Sequence, residues 1–167
     1  MPSVSLRSRA VLVAIPILAF ALGLVGLAVN AANYRGAVSA LEDRMESYIY
    51  SLLGAMEVDG AGGFEIEDDF ADPRLTQPGS GLYVEVQGED GRWRSPSALG
   101  FQLPDLTLAN AGEATFLEPE SGQGYFTYQY GIGWELDDGA ITPFTVSVLV
   151  DPSEVDRATS AFRQGLW

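Results

Sequence analysis

A run of twenty uncharged residues, AVLVAIPILAFALGLVGLAV at positions 10–29, constrains this chain more than any other feature. At about 1.5 Å rise per residue, a helix of that length crosses a hydrocarbon core of about 30 Å. Pro16, Gly23 and Gly26 are tolerable inside such a helix. Arg7 and Arg9 precede the run, and the positive-inside bias keeps that end cytoplasmic. The reading is a cytoplasmic N-terminus over residues 1–9, one transmembrane helix over 10–32 and an extracytoplasmic domain over 33–167. This expectation places the chain in the cell inner membrane, single-pass, with its C-terminal domain in the periplasm. A cleaved signal peptide is the competing reading, because Val29-Asn30-Ala31 offers small residues at the spacing for cleavage after Ala31. The apolar run exceeds the roughly 7–15 residues of a signal h-region, which favours the uncleaved anchor.

The exported part must fold without disulfides, since the sequence has no cysteine. The whole chain is 47 % hydrophobic, with 8 Phe, 7 Tyr and 3 Trp, which is enough for a packed core. Histidine is absent as well, which excludes a Ser-His-Asp triad, imidazole metal ligands and a histidine general base. All 9 basic residues are Arg, so Schiff-base lysine chemistry is excluded too. The formal net charge is −14, and the first acidic residue is Glu42, so the exported part is more acidic than the whole. Such a surface repels nucleic acid and anionic head groups.

Beyond the apolar run, Val38, Leu41, Met45, Tyr48, Leu52 and Met56 recur at three- and four-residue steps, predicting a helix over residues 33–56. No strong stop separates it from the membrane segment, so one continuous rod is expected. Its stripe packs on its own domain, and the near-heptad spacing offers a homodimer seam along part of it. The cluster at residues 59–63 (DGAGG) ends the helix. Alternation predicts a strand over 82–86, and Glu89-Asp90-Gly91 makes a hairpin turn into 92–95. Further strands are expected at 114–117, 124–134 and 143–150, and Asp151-Pro152 opens a final helix over 153–163. Helix, two strands, loop, three strands, helix is the order of an α+β domain, an antiparallel sheet with terminal helices on one side.

Several of these segments together resemble a known family. A membrane helix and a long exported helix are followed by GSGLYVEV, DGRWRSPSALG and GIGWELDDG, then a strand and a helix ending in FRQGLW. Over nearly the whole chain this resembles the sensor segment of PhoQ-type sensor histidine kinases. The resemblance implies a PAS-like domain of the PhoQ/DcuS/CitA kind between two membrane helices, then a HAMP linker and a kinase core. It also implies a homodimer, ATP as the substrate of the kinase core, and a response regulator as partner. A chain without histidine cannot hold the phosphoacceptor, so kinase activity is expected of a longer parent whose second membrane helix follows Trp167. In the prototype an acidic stretch before the last strands meets divalent cations and the membrane, and cationic peptides compete there. Glu135, Asp137 and Asp138 hold the corresponding turn, three carboxylates rather than a dense run.

Read as residues alone, the Glu135-Leu136-Asp137-Asp138-Gly139 turn offers oxygen ligands for Ca²⁺ or Mg²⁺, and equally forms an ordinary hairpin connection. It completes no EF-hand. Glu65, Glu67, Asp68 and Asp69 form a second acidic group, for which a solvated charge run is the plainer reading. Tyr125, Phe126, Tyr128, Tyr130 and Trp134 form an aromatic ladder with one neighbour out of phase, read as core packing, with a small-ligand pocket as the alternative. Ser95 and Ser97 have no base to activate them. Trp134 and Trp167 are candidate membrane-interface anchors. No catalytic residue and no resident cofactor are expected.

Overall fold

The computed structural model describes residues 6–58, 63–66, 70, 72–89, 91–119, 124–136 and 139–155. Helix α1, Leu6–Ala55, is a single element of 50 residues, about 75 Å long. Its apolar part is long and apolar enough to cross a membrane, and none of that part is buried by the rest of the chain. The same helix then buries Val38, Met45, Ile49 and Leu52, with Leu41, Tyr48 and Leu53 half-buried beside them. Each fully buried side chain contributes about 1.5–3 kcal/mol of transfer free energy. Tertiary packing therefore fixes this half of the rod.

The helix stops one residue short of its expected end. Met56, the last of the apolar stripe, begins strand β1, Met56–Val58, which pairs antiparallel with β2, Phe64–Ile66. Gly54 weakens the last turn, and Met56 enters the same core from a strand instead, at 4 % exposure. The glycine cluster thus follows a strand rather than the helix.

The main sheet contains β3 (Leu82–Gly88), β4 (Arg92–Arg94), β5 (Ala114–Leu117), β6 (Phe126–Glu135) and β7 (Ile141–Val150). All pairings are antiparallel, in the spatial order β4-β3-β7-β6-β5. Counted within the sheet, that order is second, first, fifth, fourth, third. The expected strands are present, and β7 starts two residues earlier than expected. Beyond the Gly88–Phe144 pair, β7 has a neighbour on one side only, which accommodates Pro143.

Register explains how the sheet separates its faces. The row Trp93–Val86–Val146–Tyr130–Ala114 lies toward α1, and the next row, Arg94–Glu85–Ser147–Gln129–Thr115, lies on the reverse. Apolar residues alternate with polar ones, so one face forms the core with α1 while the other carries a polar layer. Val155, in the helical turn at 153–155, joins the α1-side core. Of the helix expected over 153–163 only these first residues are described, and they lie on the same side of the sheet as α1. An irregular segment, residues 99–110, covers the reverse face, with Leu103 and Ala98 packing on Tyr83 and Leu149.

Candidate functional site at the helix junction

α1 is tied to the last described residues by a polar network. Asp72 caps the short 3-10 turn Pro73–Thr76: its side chain accepts from the Arg74 backbone N–H at 3.0 Å, with Pro73 next to it in the first helical position. The Asp72 carboxylate also accepts hydrogen bonds from the Tyr48 hydroxyl at 2.6 Å and from Arg74 Nη2 at 2.8 Å. Arg74 Nη2 further donates to the Tyr48 oxygen at 2.8 Å, and Arg44 Nε donates to the same oxygen at 3.1 Å. On its other side Arg74 reaches Glu154 at 3.3 Å. Arg74 therefore bridges α1, the 72–76 turn and the segment that follows β7. The second Asp-Pro pair, Asp151-Pro152, repeats the capping device: the Asp151 side chain accepts from Ser153 N–H at 2.8 Å.

The network is electrostatically polarised. The Arg74 guanidinium, aided by the Tyr48 hydroxyl, holds the Asp72 carboxyl well below the usual carboxylate range. Asp72 in turn raises the Arg74 pKa. Burial, then the bond to Asp72, raises the Tyr48 hydroxyl. None of the three changes charge near neutral pH, so the junction is a fixed clamp and not a proton-transfer site. A cavity of about 370 Å³ adjoins it, lined by Tyr48, Ser51, Phe70, Asp72, Leu75 and Val84 among others.

The reverse face is polar and closed. Glu85, 2 % exposed, accepts from Arg94 Nε at 2.6 Å and lies 3.5 Å from Arg92 Nε. Gln129 donates to the Thr107 carbonyl at 3.1 Å, and Ala109 N–H donates to Thr145 Oγ1 at 3.0 Å. These bonds hold the irregular segment on the sheet. Gly131 permits the contact, because a Cβ there would lie 2.7 Å from the Ala109 carbonyl oxygen.

The residues singled out from sequence are dispersed. Glu135 ends β6, exposed, opposite Ile141, and the hairpin is closed by Leu136 N–H to Ala140 O at 2.8 Å and Gly139 N–H to Leu136 O at 2.9 Å. Asp137 and Asp138 lie outside the described residues, as do Glu67, Asp68 and Asp69. Glu65 is exposed on β2, directly across from Glu57. Among the described residues no group of three or more carboxylates converges. Tyr34, Tyr50 and their partners Glu118 and Tyr130 show that α1 runs alongside β6 in the same direction. Glu135 is nine residues past Phe126, so it lies about 30 Å along the strand from the end that α1 enters.

The aromatic ladder divides between faces. Phe126, Tyr128, Tyr130 and Trp134 pack on the α1 side, while Tyr125 meets Tyr83 edge-on at 5.5 Å on the reverse. Ser95 and Ser97 are structural: their hydroxyls lie 2.7 Å apart, and Ser95 Oγ accepts from Val84 N–H at 3.0 Å. Trp134 is half-buried against the core, and Trp167 lies outside the described residues. Asp72 and Arg74 are distinguished in the sequence only by the Asp72-Pro73 pair. The Asp-Pro cap signature marked that turn, but the contact with Tyr48, 24 residues away, left no local trace. Comparisons with family models, with curated proteins and with solved structures return no match.

Proposed function

We propose that this chain is the membrane-anchored sensor region of a two-component sensor histidine kinase, detecting an extracytoplasmic stimulus and passing it to a kinase core. The observation that carries the reading is α1 itself, one unbroken helix from the apolar span into the core of the domain. A rigid helix turns any repacking of the sheet into displacement of the membrane segment. The Arg74 clamp supports the same reading by coupling that helix to the segment after β7. The strand order second-first-fifth-fourth-third, with a helix on one face and an irregular cover on the other, supports a PAS-like assignment by analogy of fold. In this reading Arg7 and Arg9 lie in the cytoplasm, the domain is periplasmic, and two copies associate along the exposed side of α1 rather than along the stripe from Val38 to Met56, which packs into the domain's own core. Divalent cations or cationic peptides are the stimulus class that the acidic surface would attract.

The test is the coding sequence downstream of Trp167. A second apolar run followed by a kinase core with its phosphoacceptor histidine supports the proposal. A stop codon directly after Trp167 overturns it in favour of a single-pass scaffold carrying a PAS-like domain.

A further inference from the structure

The turn at residues 98–101 lies at the end of the domain that α1 enters, and it is apolar. After β4 the chain runs back toward that end: Ser95 N–H donates to Val84 O at 2.9 Å, and Gly79 N–H donates to Ser97 O at 3.0 Å. There it reverses. Phe101 N–H donates to the Ala98 carbonyl at 3.0 Å, with Leu99 at φ −61°, ψ 122° and Gly100 at φ +83°. This is a type II turn, whose third position needs the left-handed conformation that glycine adopts freely. Turn tips in water are ordinarily polar. This one presents Leu99 at 74 % exposure, with Phe101 beside it, its ring 5.5 Å from Tyr83.

Position makes the exposure meaningful. Outside the apolar run, seven large apolar or aromatic side chains are exposed among the described residues. Four of them, Tyr34, Leu99, Phe101 and Leu117, lie at the end that α1 enters, spread from one edge of the sheet to the other. Tyr34, which touches Glu118 at that end, is five residues past Val29, about 7–8 Å of helix, while the head-group layer is roughly 5–7 Å thick. The domain end therefore stands at the outer edge of the head groups.

We propose that the Leu99–Phe101 turn is a second membrane contact, with Leu99 projecting from the domain end into the head-group layer of the bilayer that α1 crosses. The inference rests on the membrane-anchored reading above. Two contacts fix the tilt of the domain, where α1 alone would leave it free to swing. Glu118, Asp151 and Glu154 lie at the same end, so the favoured surface is zwitterionic lipid.

The absence of cysteine allows single-site labelling. Leu99→Cys, Leu22→Cys and Ile141→Cys variants of the full chain are each labelled with an environment-sensitive fluorophore. They are reconstituted in phosphatidylcholine–phosphatidylethanolamine vesicles containing a spin label on the head group or, in parallel, one in the acyl chain. Quenching at 99 severalfold above that at 141 is expected, with quenching at 22 reporting the span itself. Quenching at 22 but equally weak quenching at 99 and 141 overturns the lipid contact alone. No quenching at any position overturns the membrane reading with it. Self-association that shields position 99 without lipid quenching makes the turn a protein contact and also overturns the proposal.

Discussion

Asp72→Asn tests whether the clamp is an electrostatic unit. Asparagine caps a helix about as well as aspartate, so the 3-10 turn keeps its cap while the charge is removed. The ion pair has side chains 26 % and 16 % exposed, which places it between a surface pair and a fully buried one. Surface pairs contribute about 0–1 kcal/mol, and breaking a fully buried pair costs about 3–5 kcal/mol. Hydrogen bonds to charged groups contribute about 1.5–3 kcal/mol, so a loss of about 2 kcal/mol is expected at neutral pH. The pH dependence carries a sign. Arg74 lowers the folded pKa of Asp72, so its stabilisation is complete above the unfolded value and disappears as pH falls through the folded one. With an unfolded pKa near 3.9, roughly 1.2 kcal/mol of the difference between wild type and variant should be gone by pH 3. The assay is urea unfolding of the full chain in detergent micelles, followed by tryptophan fluorescence, since Trp93 packs 5.8 Å from Phe70 near the junction. A difference of the same size at pH 7 and pH 3 would refute the reasoning. So would an absence of coupling in a double-mutant cycle with Tyr48→Phe.

Gly131→Ala should lift residues 109–113 off the sheet, because the new methyl meets backbone and not a movable side chain. Overpacking at about 1–3 kcal/mol, with loss of the bonds Gly112 N–H to Gly131 O and Gly131 N–H to Glu113 O, predicts about 3 kcal/mol of destabilisation and faster exchange at the Gly112 amide. If dimers form along α1, cysteines at the exposed Ser47 and Ser51 should crosslink between chains in membranes, while one at Met45, fully buried in its own core, should not; equal crosslinking at all three rejects a defined seam. Replacing Glu135, Asp137 and Asp138 by Gln, Asn and Asn should preserve the fold, since backbone bonds close the hairpin. It should also flatten any millimolar Mg²⁺ dependence of the melting temperature at fixed ionic strength; superimposed titrations would make the turn purely structural.

Much of the architecture was legible because it is local. Twenty uncharged residues leave a helix as the only solution in lipid, and the three- and four-residue spacing from Val38 continued that helix without a break. The strands β3, β6 and β7 alternate over seven to ten residues, long enough for a period of two to stand out. The three-residue strands β1 and β2 gave no such signal, and Met56 fits the helical stripe as well as it fits a strand. Only the pairing of Met56 with Ile66 decides between them.

What the sequence determined by itself was the long apolar N-terminal helix, the class of fold and the side-chain chemistry it lacks, since each follows from residue type and short-range period. What the tertiary structure decided was which residues meet. Tyr48, Asp72, Arg74 and Glu154 converge from three segments because the register of the sheet and the rise of α1 bring them together. Gly131 is glycine because a distant strand of chain crosses it, and Leu99 is conspicuous because its turn comes to rest at the end that α1 enters. Such contacts span tens of residues, and their energy is realised only once the intervening chain has folded, so no local pattern records them.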